Sequence, residues 1–400
     1  MLGHKGKINK EAIVFAVILA PFFEPMLFGL LEEKGLNTQL WSSIGMIFLL
    51  MRILFVCGSF ALLLLFISRG EIHFSKVATF LMINILLWGV SSIFSQSADL
   101  KLWVNVVQNA GFIIVCTVLT KYSRKHFFQG CILLFGILTF LGIVSILLHP
   151  MGYFHAASTN EAFYFLGGKN GSFPYYYSFF FSAIVYSVVW KCSNRKLYLW
   201  LGLCLLAALI CQSSNSLICL TIIVICLALY NSHINISFLH PKILGVVFIL
   251  IFVLIYTGNI SAPVVSVLNK MGRDITFSGR DVLWAQAFGY ILAEPLWGVG
   301  NKAVFILRDL RNAGHAHSQY LNRLAIYGIV PFVFFLLSVI CLFKKGDSVN
   351  KGQEVIIIEL LMLVYFLHMG FDTYPYYFII LMLIGANEAF NELIIKDRNN

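Results

Sequence analysis

Apolar runs of about twenty residues, divided by short polar breaks, constrain this chain more than any other feature. Such a run is at home in lipid only as a helix, because every backbone N–H and C=O must there be satisfied within the segment. About twelve can be marked, with cores at 11–30, 43–66, 76–94, 103–120, 127–148, 173–190, 197–211, 216–230, 243–257, 321–343, 353–371 and 374–390. Several are short or interrupted. The composition agrees: 60% of residues are hydrophobic, 12% are charged, and the mean hydropathy is +0.86. The expected fold is therefore an all-α polytopic membrane protein of about 12 transmembrane helices. It divides into a bundle of about nine spans at 1–257, a long loop at 258–320, and about three spans with a tail at 321–400.

The net charge of +10 could suggest a nucleic-acid partner, but its placement argues against one. If the N-terminus is cytoplasmic, the inner segments carry 17 lysines and arginines and the short outer loops only Lys34, Lys101 and Lys169. That asymmetry places both termini in the cytoplasm and the long 258–320 loop outside. No cleavable leader is evident, so the first span is expected to stay. The nine cysteines include no Cys-x-x-Cys pair and fall in or beside apolar spans, where they read as small hydrophobes. No internal repeat is apparent.

A few polar residues interrupt the spans. Arg52 lies near mid-span, where a charge costs about 2.5–3.5 kcal/mol to insert. It reads either as an ion pair with Glu24 or as a ligand contact. Glu359 and Asn84 read as helix-packing glue. His368 and Asp372 end the eleventh span on the side of the long loop, as site residues or as rim. A second outer loop runs through Gly167-Gly168-Lys169-Asn170-Gly171-Ser172 into Tyr175, Tyr176 and Tyr177. It reads as a turn entering an interfacial aromatic belt, with a sugar-stacking wall as the other reading.

The long loop carries the chemistry. Ser278 and Asp281 have capping-box spacing, and the helix they open puts Trp284, Phe288, Ile291 and Leu292 on one face, suited to the membrane interface, before stopping at Pro295. Its N-terminus with Arg280 suits an anion; the bland reading is a capped surface helix with a solvated arginine. His315 and His317 stand at the membrane surface, where histidine is the side chain best placed to take a hydroxyl proton near neutral pH. A metal pair and idle interfacial histidines compete with that, although no further ligands at recognisable spacing support metal. Arg273, Arg308, Arg311 and Arg323 add positive charge to the outer face that topology does not explain, which suggests an anionic partner.

Three elements in order, Ser278-Gly279-Arg280-Asp281-Val282-Leu283-Trp284, Pro295-Leu296-Trp297-Gly298-Val299-Gly300 and Ala316-His317-Ser318-Gln319-Tyr320-Leu321, resemble the long extracytoplasmic loop of the O-antigen ligase/polymerase family. The match covers about 60 residues. Ser318 stands where the family has Asn, and the second glycine after Gly328-Ile329 is missing. Ser214-Asn215 replaces a common Ser-Arg, removing an arginine that in the ligases helps to hold pyrophosphate; this leans the resemblance toward polymerase.

The resemblance implies a GT-C-like, metal-independent inverting glycosyltransferase with no cofactor, in the bacterial cytoplasmic membrane. Its donor and acceptor would be polyprenyl-diphosphate-linked oligosaccharides, and its partners the bilayer, a chain-length regulator and a flippase, with no nucleic acid. His317 would act as general base with His315 second, and Arg280 would stabilise the departing diphosphate. Arg273, Arg308, Arg311, Arg323, Asp372 and Arg52 are the expected substrate contacts. A ligase that moves a finished glycan, and a flippase of lipid-linked saccharides, are the competing readings; the absent repeat counts against the second.

Overall fold

The computed structural model describes residues 9–25, 38–70, 74–97, 99–155, 162–193, 195–232, 234, 236, 239–256, 280–307, 313–349 and 352–399. Among these, every expected apolar stretch falls on helix. The helices are α1 (Lys10–Leu19), α2 (Thr38–Ser68), α3 (Lys76–Phe94), α4 (Leu100–Tyr122), α5 (Arg124–Leu148), α6 (Phe173–Val189), α7 (Lys196–Ile210), α8 (Ser214–Asn231), α9 (Pro241–Tyr256), α10 (Arg280–Ala293), α11 (Gln319–Tyr327), α12 (Ile329–Asp347), α13 (Gln353–Met369) and α14 (Tyr376–Asn399). Seven are long and apolar enough to cross a membrane: α2 from Ser43, α3, α4, α5, α8, α12 and α14. Helices α6, α7 and α9 are equally apolar but shorter.

The bundle is built around α6, all of whose residues are buried. Helix α5 runs along it on one side and α14 on another, while α12 lies along α3 and α13 along α8. Small residues allow the closest approaches: a methyl group on Gly130 would lie 2.7 Å from Phe15 Cβ, and one on Gly111 would lie 2.5 Å from Val56. Asn84 performs the expected gluing, donating to Pro331 O at 2.6 Å and accepting from Tyr376 OH at 2.8 Å.

Three of the sequence readings change. The tyrosines at the start of α6 form no interfacial belt. Tyr175 and Tyr177 are buried, with their hydroxyls donating to the backbone carbonyls of Glu24 and Leu361. Those remote acceptors meet the polar need that the local sequence assigned to water.

The expected continuous span at 321–343 is broken at Gly328, which sits at φ 80° between α11 and α12. Any Cβ there would lie 2.3 Å from Leu296 O. The Pro295–Gly300 turn docks into this break: Ile329 N–H donates to Pro295 O at 2.9 Å and Val299 N–H to Ala325 O at 2.9 Å.

Finally, α10 buries Leu283, Trp284 and Ala287 against Phe305, Ala316 and Leu321, leaving Phe288 and Leu292 exposed. The buried stripe is thus offset from the one expected, because α10 packs on a small core formed by its own loop.

Candidate functional site

The polar chemistry gathers at one end of the bundle, where α6, α8 and α14 begin and α9 and α13 end. His317 sits in the turn that leads into α11. Its φ of 48° lies in the left-handed region, uncommon for any residue with a side chain and a frequent mark of functional positions. The turn is braced from both sides. His317 N–H donates to His315 Nδ1 at 3.2 Å, and Ala316 N–H donates to Asn322 Oδ1 at 3.2 Å. Ser318, fully buried, caps α11 through Leu321 N–H. Its hydroxyl also meets Tyr256 OH at 2.9 Å, and Tyr256 donates on to Gly370 O at 2.6 Å. Serine therefore does capping work at the position where the family resemblance led one to expect asparagine.

These contacts carry the 370–375 loop to the histidine. Gln319 N–H donates to Asp372 O at 3.0 Å, and Tyr374 N–H donates to Gln319 Oε1 at 3.0 Å. As a result Asp372 Oδ1 lies 3.9 Å from His317 Nδ1, beyond a hydrogen bond but within ion-pair range. Asp372 is held on its other side by Thr373 N–H at 2.9 Å and by the Asn170 side chain.

Asn170 arrives from a three-stranded antiparallel lobe of β1 (Phe154–His155), β2 (Ala162–Tyr164) and β3 (Gly167–Gly168). The lobe is fastened to the end of α5 by Phe165 N–H on Ser145 Oγ at 2.9 Å. Ser213 Oγ donates to Asn170 Oδ1 at 2.6 Å, and Ser216 Oγ lies 3.5 Å from His368 Nε2. His368 stacks flat on Phe173 at 3.7 Å and is hydrogen-bonded to Tyr374 OH.

The electrostatics tie these pieces into one site. Burial, followed by the neighbouring His315, Arg280 and Lys169, pushes the His317 imidazole down to about 2. Its ring keeps 31% of its surface, so water offsets part of that depression. Burial and then Arg280 push His315 down to about 4. Burial raises the Asp372 carboxyl, opposed by Arg280, Thr373 N–H, Asn170 and Lys169. Two cations, Arg280 at the start of α10 and Lys169 after β3, thus act on the same histidine and carboxylate. Both histidines are neutral at pH 7. His315 Nδ1 is occupied as an acceptor, whereas His317 is free to take a proton.

The other expected site residues divide. Arg273, Arg308 and Arg311 lie outside the described residues, as do Ser278 and Gly279 of the capping box. Arg52 is engaged away from the cluster, with Nη2 on Glu24 Oε2 at 2.9 Å and Nε on Pro21 O; the anticipated ion pair is present. Arg323 lies over Trp88 at 4.2 Å and Tyr376 at 4.8 Å, a cation held by aromatic faces. Ser213 and Ser216 carry no signal in the sequence, and Lys169 and Asn170 appear there only within a turn leading to an aromatic belt or a sugar-stacking wall, although a basic residue among glycines beside a polar Asn was the available signal.

Together the fold and this cluster describe a polytopic helical membrane protein with its polar side chains collected at one end of the bundle. Residues 175–336 match the family model described as O-Antigen ligase. The match supports the resemblance to the O-antigen ligase/polymerase family, whose members are glycosyltransferase-like ligases and polymerases. The matched stretch contains Arg280, His315 and His317, while Lys169 and Asp372 lie on either side of it. No curated protein matches the chain.

Proposed function

We propose that this protein is a polysaccharide polymerase that joins polyprenyl-diphosphate-linked oligosaccharide units at the outer face of the bacterial cytoplasmic membrane. The observation that carries the reading is the placing of His317 against Asp372 under the combined charge of Arg280 and Lys169. In the reaction, an acceptor sugar hydroxyl attacks the donor's anomeric carbon and passes its proton to His317. The bond from that carbon to the diphosphate oxygen breaks, and the electron pair leaves with polyprenyl diphosphate. Attack opposite the leaving group inverts the anomeric centre.

Arg280 and Lys169 stabilise the charge that builds on the diphosphate. Asp372 stabilises the imidazolium that His317 becomes, as the buried carboxylate does for the histidine base of a Ser-His-Asp triad. The same diphosphate answers the part of the low basicity of His317 that Arg280 and Lys169 add to burial. Neutralising the two cations raises the imidazole's proton affinity at the moment the base is needed.

In this reading α6, α7 and α9, together with α1 and α13, bring the seven long helices to about twelve spans, both termini face the cytoplasm, and the lipid tail lies against the bundle. A chain-length regulator and a flippase would act beside it. Asn215 donates to His368 O at 3.4 Å, so the second cation comes from the β3 loop instead of from the start of α8. That different build of the anion site supports polymerase over ligase.

The test is a deletion strain complemented with wild type or His317→Asn, with surface glycan resolved by length and lipid-linked intermediates extracted. Polymerase requires loss of long chains while single units accumulate on lipid at the outer leaflet. Long chains persisting on the polyprenyl carrier would make the protein a ligase. Units trapped at the inner leaflet would make it a flippase.

A further inference from the structure

At the opposite end of the bundle the end of α6, the start of α7 and the end of α8 line an open cavity of about 490 Å³. Its lining includes Ser187, Lys191, Arg195, Tyr198, Tyr230 and Asn231. Helix α6 separates it from the His317 cluster: 17 residues at 1.5 Å per residue span about 25 Å. The cavity therefore belongs to a different surface from the reaction site. At about 30 Å³ per water it has room for on the order of 16 waters, far more than a single ion needs.

Its walls are made for an anion. Lys191 is paired with Glu354, but among the described residues no carboxylate lies within 4 Å of Arg195. Lys396 adds a further cation nearby, 5.2 Å above the Trp190 ring and bonded to Val189 O at 2.6 Å. Ser187 Oγ already donates to Ile184 O at 2.8 Å, but the Ser193 hydroxyl lines the wall, and Tyr198 OH, which accepts from the Asn231 amide at 2.9 Å, keeps its own proton to donate.

The cavity also adjoins an apolar flank. Leu199, next to Tyr198 on α7, is 69% exposed, and Leu206, two turns on along the same face, is 45% exposed. A soluble anion would use the basic lining and ignore this flank; a lipid would use both.

We propose that this cavity seats the phosphate headgroup of an anionic phospholipid, with its acyl chains lying along Leu199 and Leu206. Basic pockets between spans on the positively charged side of membrane proteins suit such headgroups. The orientation read from loop charge puts this one in the cytoplasmic leaflet.

The test uses the full-length protein in nanodiscs of equal phosphatidylglycerol and phosphatidylcholine, released into native mass spectrometry. Wild type should retain phosphatidylglycerol at least fivefold over phosphatidylcholine. The double variant Arg195→Gln, Lys191→Gln should lose that preference. Arg195→Lys and the control Lys76→Gln, at the same end of the bundle, should keep it. Wild type retaining both lipids equally overturns the proposal, whatever the variants do. Loss of the preference in Lys76→Gln overturns it too, since bulk charge would then suffice. Displacement of the retained lipid by millimolar glycerol 3-phosphate would assign the cavity to a soluble phosphate and overturn the lipid reading.

Discussion

Replacing Asp372 by asparagine removes one negative charge and almost nothing else. The amide oxygen can still accept from Thr373 N–H, as the carboxylate does at 2.9 Å, so the loop should keep its shape. In the proposed reaction His317 becomes an imidazolium 3.9 Å from Asp372 Oδ1. Opposite unit charges at that separation attract by about 4 kcal/mol at an effective dielectric of about 20. The imidazole ring is 31% exposed, and solvent screening lowers the useful stabilisation to about 2–4 kcal/mol. At 1.36 kcal/mol per tenfold, that corresponds to a loss of roughly 30- to 900-fold in kcat.

Donor binding should move the other way. Without the carboxylate, Arg280 and Lys169 hold a diphosphate unopposed, so KM stays level or falls. The assay is release of polyprenyl diphosphate from a synthetic lipid-linked oligosaccharide by purified protein in nanodiscs, with a melting curve of each variant as a folding control. A folded Asp372→Asn protein within threefold of the wild-type kcat would refute the coupling between the two residues.

Five further outcomes follow from the same geometry. The acid limb of kcat/KM, which reports the free enzyme, should fall well below the ordinary histidine value of about 6.5, while the limb of kcat sits higher because bound diphosphate restores His317 basicity; coincident limbs near 6.5 would contradict this. His315 and His317 should also make stability pH-dependent: with folded values of about 4 and 2, the unfolded chain takes protons first, so stability holds above about pH 6.5 and is lost as pH falls below it, which melting curves across pH would show. His317→Asn should fold, since asparagine tolerates the left-handed region, yet lose about 10²- to 10⁴-fold in turnover. Lys169→Gln should raise donor KM about tenfold, the worth of roughly 1.4 kcal/mol of charge pairing, with Lys169→Arg restoring it; an unchanged KM would remove Lys169 from the anion site. Gly328→Ala should cost about 3 kcal/mol or more, read as a lower melting temperature, because its Cβ would lie 2.3 Å from Leu296 O at a φ of 80°.

What the sequence made legible was what depends on local composition. Hydropathy alone located α2 through α9 and α12 through α14, since an apolar run needs no partner to declare itself a helix in lipid. The loop histidines and Arg280 were legible because turn and cap signals surround them. Tyr175 and Tyr177 were misjudged because the acceptors of their hydroxyls, on Glu24 and Leu361, lie far away in the chain. Lys169 was overlooked for a similar reason. Nothing near it in sequence shows that Asn170 will bind Ser213, or that this loop will close on a carboxylate about two hundred residues later. The break at Gly328 was missed because a close backbone approach leaves no mark on hydropathy.

The cluster draws its groups from Lys169, Arg280, His317 and Asp372, and Asp372 comes just ahead of the final helix. A ribosome feeding this chain into the membrane delivers the base and both cations well before their carboxylate. Until the helical hairpin of α13 and α14 is inserted, the emerging protein carries the two cations and the base without the carboxylate that the proposed reaction requires. If that proposal holds, the order of biosynthesis acts as a safety catch, withholding a complete site until α14 has been threaded into the bilayer.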